Sequence, residues 1–452
     1  MSDNKDTSKI IHEFLELWQK QFSFIAKDPK TIAAMLATFA SEQGKYFDSL
    51  KENKNAESGS DTNYITMLMM SYTGSANALQ ILKRGSLSLN PQLEEEAKKL
   101  QEKLREKDLK ELSLELTKQL NNRFGELVSV IKTLNRYDYK RTLTEGETVW
   151  QEGSTRLLSF ECESEKTVIF IPSLINKSYI LDLSEKRSFI RYLQKNGINS
   201  YLVDWGEPEQ GELGFDLDDY IVGRLDKIID HVGKISKNPI IPAGYCMGGL
   251  LAIASALRNK EKISALGLFA TPWEFHSNDF QRFNLDEKGV DSLEQIINSS
   301  GKIPAGIIQS MFYYLHPESV QHKFENFFSF INDESSDIEE FMAIEHWVND
   351  GISMPSKVAK TCFIDWVHNN NVSNLKWTVG GNTVDPTKLD LPVFVLNSDK
   401  DHIVPTGCFE PLLPLLSNKT YLKQNLGHIS IIAGSKAENI VWKPFKDWVE
   451  NI

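Results

Sequence analysis

The chain has 452 residues, 41% of them hydrophobic and 25% charged, with a formal net charge of −12. That length exceeds one ordinary domain and falls short of three, and the apolar share suffices for a sizeable core. The acidic balance argues against a nucleic-acid partner, because phosphate backbones are bound through an excess of Lys and Arg. Met1 leads into Ser-Asp-Asn-Lys-Asp, without the basic and apolar regions of a secretory leader. No uninterrupted apolar run approaches the roughly 20 residues of a membrane span. Cys162, Cys246, Cys362 and Cys408 lack metal-type spacing and read as reduced thiols. A cytoplasmic protein with no metal and no cofactor is the expectation.

Residues 1–141 read as a helical N-terminal region. Ile10, Ile11, Phe14, Leu15, Trp18 and Phe22 recur at three- and four-residue steps and make one amphipathic face. Asp28-Pro29 opens a second helix through Ile32, Met35, Leu36 and Phe39. Residues 51–61 carry no apolar side chain larger than Ala and read as a linker. A charge-rich helix is expected from Pro91 to Leu120, its stripe of Leu93, Ala97, Leu100 and Leu104 slipping by one residue before Leu109, Leu112, Leu116 and Leu120. Three surfaces could take the N-terminal face: the domain that follows in the same chain, a second subunit, or a hydrophobic polymer. On the expectation that the first two helices move independently, removing residues 1–60 leaves a soluble, active protein that associates less with polymer or with itself.

At about Thr142 the texture changes, and residues 142–452 read as an α/β domain. Thr167–Pro172 is a short apolar run suited to a buried parallel strand. A helix through Phe189, Ile190, Tyr192 and Leu193 follows, with Asn196-Gly197 as its stop. Strands at Ile198–Asp204, Pro239–Ala243 and Ile263–Phe269 then alternate with helices around Asp219–Val232 and Leu250–Leu257. Alternation of this kind implies right-handed βαβ units and a mostly parallel sheet covered on both faces. From about Trp273 to Leu389 strand signals fade and aromatics gather (Phe312, Tyr313, Tyr314, Phe324, Phe327, Phe328, Phe330). Leu391–Leu396 resumes the sheet, Lys419–Lys423 is a last strand, and Ile440–Val449 is a closing helix. An insertion at 273–389, ahead of the last strands, is where hydrolase-type folds carry a helical cap.

Gly244-Tyr245-Cys246-Met247-Gly248 sits between a strand and a helix. The spacing is that of the nucleophile elbow G-x-S-x-G with Cys replacing Ser, a turn so tight that the flanking glycines are needed to avoid backbone clashes. The helix N-terminus behind Cys246 favours a thiolate. In such chains the acid and then the histidine follow the nucleophile. Asp401 and Asp399 both lie just after the resumed strand, at the carboxyl edge where open α/β sheets bind ligands, and position alone leaves both as acids. His428 follows the last strand; His402 is adjacent to Asp401 and too near along the chain to bond it and also reach Cys246, so His428 is the better base. The oxyanion donors expected are the backbone N–H groups of Met247 and, from the loop after the Thr167–Pro172 strand, Ile175.

These residues fall in a recognisable series. Ile175-Asn-Lys-Ser-Tyr-Ile-Leu-Asp-Leu183, Tyr201-Leu-Val-Asp-Trp-Gly206, Leu217-Asp-Asp-Tyr220 and the Cys246 elbow resemble the catalytic domain of polyhydroxyalkanoate synthases. So do Trp347-Val-Asn-Asp350, Asp401-His-Ile-Val-Pro405, and Gly427-His-Ile429 with Gly434-Ser-Lys-Ala437. The resemblance spans about residues 145–450 and implies an α/β-hydrolase-type fold with Cys246, Asp401 and His428 as nucleophile, acid and base. It further implies a 3-hydroxyacyl-CoA substrate, CoA as product, a polyester granule surface as partner, and a homodimer. The tail is similar to short-chain synthases that pair with a second subunit, whereas the helical N-terminal region is a feature of longer ones that work without it.

Overall fold

The computed structural model describes residues 2–26, 75–87, 89–134, 139–236, 238–280, 287–299, 301–315 and 338–452. Described residues up to Leu134 form one compact unit; Tyr139–Ile308 and Glu339–Ile452 form a second, and Gln309–Leu315 group with the first. No described helix is long and apolar enough to cross a membrane.

In the first unit, a helix over Ser2–Ala26 packs with helices at 75–84, Glu94–Arg105 and Leu109–Leu134. Ile10, Ile11, Phe14, Leu15 and Leu17 are buried against Leu79, Leu82, Leu100, Leu104, Leu112 and Leu116. The amphipathic face read from the sequence is therefore taken up inside its own unit, with Trp18 partly buried at its margin. The single helix expected over Pro91–Leu120 is two helices, broken at Glu106–Asp108. At about 100° per residue, the five-residue step from Leu104 to Leu109 would swing the stripe some 140° off the core. The break corrects this, and Asp108 Oδ1 restarts the helix by accepting from the N–H groups of Lys110 (2.8 Å) and Glu111 (3.2 Å). The expected 28–39 helix, the 51–61 linker, Phe324, Phe327, Phe328, Phe330 and the side chains of Phe22, Tyr313 and Tyr314 lie outside the described residues.

The second unit is built on an eight-stranded sheet in the order β1-β2-β4-β3-β5-β6-β7-β8. Its strands are β1 (Glu147–Glu152), β2 (Thr155–Phe160), β3 (Thr167–Ile171), β4 (Asn199–Asp204), β5 (Ile241–Tyr245), β6 (Leu266–Phe269), β7 (Val393–Ser398) and β8 (Lys419–Gln424). From β4 to β8 neighbours run parallel, and β1 and β2 are antiparallel at one edge. The β1–β2 hairpin has no counterpart in the sequence reading. Its turn is Gly153-Ser154, with Gly153 at φ 58°, the left-handed conformation that two-residue hairpins need and glycine supplies cheaply. Strands β3, β5, β6 and β7 are wholly buried, as continuous apolar runs require. One face packs Phe170, Phe269 and Phe394 against Phe189, Trp442 and Phe445 from the covering helices. Between β6 and β7 the described chain is mainly helical, including Glu287–Ser299 and Ile338–Asn349.

Candidate active site

Strand β5 runs into the helix Met247–Arg258 through Cys246, which adopts φ 55° and ψ −129°. A non-glycine residue in that region is strained, and the strain persists because the neighbours leave the chain no other path. A Cβ on Gly248 would stand 2.0 Å from the Ile171 carbonyl oxygen, and one on Gly244 2.4 Å from Gly249 Cα. Glycine spacing in the sequence thus records backbone crowding between β3, β5 and the helix. Cys246 N–H donates to the Phe269 carbonyl at 2.8 Å, which fixes the elbow to β6.

His428 opens a short helix, His428–Ala433, just beyond β8. Its Nδ1 lies 2.7 Å from Asp401 Oδ2, and with Asp401 ionised the ring N–H is the donor. The other carboxylate oxygen, Oδ1, accepts from Ile403 N–H (2.9 Å) and Val404 N–H (2.8 Å), so the buried acid is held at both ends. Burial opposes a proton on His428, yet the Asp401 carboxylate and the Cys246 sulfur together outweigh it and push the imidazole up to about 10. The geometry separates the two acids that position left open. Asp399 is exposed, ion-paired with Lys423 at 2.8 Å, and its carboxyl is held below the usual range by that lysine. His402 is exposed as well.

Two further residues hold the base and escaped the sequence reading. Ser398, fully buried at the end of β7, donates its hydroxyl to the Leu426 carbonyl (2.6 Å) and accepts from Leu426 N–H (2.5 Å). That peg ties the loop before His428 to the strand that leads to Asp401. Tyr245 donates its hydroxyl to the main-chain carbonyl of His428 at 3.2 Å. A serine three residues before Asp401 and an aromatic directly beside Cys246 were the available signals.

Two of the remaining motifs, Tyr201–Gly206 and Trp347–Asp350, converge on the loop after β3. Trp205 Nε1 donates to the Pro172 carbonyl (3.0 Å), Trp347 Nε1 donates to the Lys177 carbonyl (2.7 Å), and Ile352 N–H donates to the Ile175 carbonyl (2.9 Å). Asn176 Nδ2 donates to the carbonyls of Trp347 and Val348, and Lys177 pairs with Asp350 at 3.1 Å. Asp182 is a structural hub, buried under Arg141, Ser188 and Arg191. Met247 is the first residue of its helix, where an N–H has no acceptor within the helix. Ile175 N–H instead lies 3.4 Å from Ser173 Oγ, a long bond that an oxyanion would have to displace. Among the described residues no cluster of His, Cys, Asp and Glu could hold a metal ion.

Residues 65–193 match the family model described as the N-terminus of poly-beta-hydroxybutyrate polymerase (PhaC). The poly(3-hydroxyalkanoate) polymerase subunit PhaC of Haloferax mediterranei is 28% identical over 68% of this chain and 63% of its own length. The PhaC subunit of Allochromatium vinosum is 27% identical over 62% of this chain and 80% of its own. That of Synechocystis sp. is 25% identical over 75% and 93%. The alignment thus spans less than two thirds of the Haloferax subunit. Over about two thirds of its length, the chain is thus similar to proteins named as poly(3-hydroxyalkanoate) polymerase subunits.

Proposed function

We propose that this chain is a polyester-forming acyltransferase that polymerises 3-hydroxyacyl-CoA with release of CoA. The observation that carries the reading is that Asp401 Oδ2 stands 2.7 Å from His428 Nδ1 while Tyr245, the elbow residue next to Cys246, stacks on the same imidazole. His428 Nε2 takes the proton from Cys246 Sγ, and the thiolate attacks the thioester carbonyl. The developing oxyanion is met by Met247 N–H and by an amide of the Ser173–Ile175 loop. CoA departs as its thiol with the proton from His428, leaving the acyl group on Sγ. His428 then removes the proton of a 3-hydroxyl from the next monomer or chain, whose oxygen forms the ester as Cys246 is released. A thiol suits this cycle because the thioesters on Cys246 and on CoA are close in energy, so acyl exchange is nearly balanced. Asp401 orients the ring and stabilises the imidazolium without touching substrate.

The reading needs no cofactor, since CoA arrives on the substrate and leaves as product. Assembly as a homodimer, work with a second subunit and residence on polyester granules belong to the same proposal; the word "subunit" in the relatives' names supports the first two. The full chain is given 3-hydroxybutyryl-CoA, and free CoA and insoluble polyester are measured together. Matched CoA release and polymer are expected. CoA release with free 3-hydroxybutyrate and no polymer would make the protein a thioesterase or depolymerase instead.

A further inference from the structure

Tyr245 ends β5 one residue before Cys246 and is 3% exposed. Its ring is stacked on the His428 imidazole, with centroids 5.0 Å apart and planes 29° from parallel. Its hydroxyl reaches past the ring to the His428 main-chain carbonyl, so the same side chain holds the base at both its ring and its backbone. The other groups that act on the imidazole are the Asp401 carboxylate on Nδ1 and the Cys246 sulfur. An aliphatic side chain would fill the volume, but only an aromatic one presents a negative π face, and such a face attracts a cation within about 6 Å of its centroid. His428 becomes that cation when it holds the Cys246 proton.

We infer that Tyr245 is a positioning residue whose ring stabilises the His428 imidazolium and thereby keeps Cys246 as a thiolate. The inference rests on the Cys246–His428 reading above and deepens it: the elbow that presents the nucleophile also supplies the surface on which the base is charged. The direction follows from the proton. Weakening the π face disfavours imidazolium, returns the proton to sulfur, and moves the appearance of thiolate to higher pH.

The test reads the thiolate directly. In the full-length protein, position 245 carries Tyr, Phe, a series of increasingly ring-fluorinated phenylalanines, or Leu. The rate of Cys246 alkylation by iodoacetamide is followed from pH 5 to 9 by peptide mass. Cys362 and Cys408 are buried and their thiols are pushed up by that burial, so they do not compete. Tyr245→Phe should leave the midpoint in place, since the ring remains. Fluorination drains the π face at nearly constant shape and should raise the midpoint stepwise, by up to about half a pH unit, with Tyr245→Leu moving it the same way. The fluorinated series preserves packing, so it decides the matter even where the Leu variant does not fold. A midpoint unchanged across that series, or shifted as far by Tyr245→Phe as by Tyr245→Leu, would overturn the inference. His428→Ala separates the two readings: an unchanged alkylation profile would sink the base assignment and the inference with it, whereas a shifted profile beside a flat fluorinated series would overturn the role of Tyr245 alone.

Discussion

Asp401→Asn is the substitution for which the structure makes the sharpest demand. The amide oxygen of Asn can still accept from Ile403 and Val404 N–H, so the turn survives. Its NH₂ group would then face His428 Nδ1, now 2.7 Å from a carboxylate oxygen. Two donors cannot meet, so Nδ1 must become an acceptor and the ring proton moves to Nε2, the nitrogen that should receive the Cys246 proton. The imidazolium also loses its counter-charge. Two unit charges about 4 Å apart interact by roughly 4 kcal/mol at an effective dielectric near 20, which corresponds to a loss of about 10³-fold in rate. Cys246 acylation, followed as single-turnover CoA release from 3-hydroxybutyryl-CoA, should fall by about 10²–10³-fold, and less than in His428→Ala. Stability should fall too. His428 is raised in the folded state, so its charged pair contributes fully below the unfolded value near 6.5 and is lost as pH rises through about 10. Asp401→Asn should therefore lower the melting temperature at pH 6 and hardly at all above pH 10. The loss should stay below the roughly 3–5 kcal/mol of a stranded buried charge, because the imidazole can give up its proton. Asp399→Asn should change the rate less than twofold, since Asp399 is exposed and paired with Lys423. A crippled Asp399→Asn beside a silent Asp401→Asn would refute the assignment of the acid.

Cys246→Ala should abolish CoA release at near-native stability; more than about a tenth of the activity remaining would exclude covalent catalysis at this residue. Cys246→Gly should be equally inactive yet more stable by about 1 kcal/mol in urea unfolding, because relief of the strain at φ 55° exceeds glycine's entropic cost. Gly248→Ala sets a Cβ against the Ile171 carbonyl oxygen at 2.0 Å, backbone that cannot yield, and should cost at least about 3 kcal/mol; a native urea midpoint would contradict the crowding argument. Removing residues 2–26 strips Ile10, Ile11, Phe14, Leu15 and Leu17 from their cluster. At roughly 1.5–3 kcal/mol per side chain that loss rivals the stability of a whole domain. Aggregation or strong binding of a hydrophobic dye is expected, contrary to the benign truncation that the sequence suggested, and a soluble, dye-silent protein would restore that earlier view.

Strands β3 to β7 were legible because a strand buried on both faces must be a continuous apolar run, and the chain writes it as Val168-Ile-Phe-Ile171 or Val393-Phe-Val-Leu396. The elbow was legible for a similarly local reason: Gly244 and Gly248 lie within two residues of Cys246, and their lack of side chains answers crowding in the same turn. The β1–β2 hairpin was hidden because an edge strand exposed along much of its length, such as Glu147–Glu152, carries little apolar pattern. The helix break at Glu106–Asp108 appeared in the sequence only as a slipped stripe. Position along the chain left Asp399 and Asp401 both open, the resemblance pointed to Asp401, and the tertiary structure sets Asp401 against His428, because the direction of each side chain depends on how β7 ends and where β8 delivers His428. The same holds for Tyr245, 183 residues from the histidine it supports, and for Ser398, 28 residues from Leu426. Periodicity and glycine spacing are properties of a few consecutive residues, so sequence by itself determined the sheet's central strands and the elbow that carries Cys246. Contacts across strand ends depend on the register of the whole sheet, and only the folded chain decided which hydroxyl and which ring support the histidine.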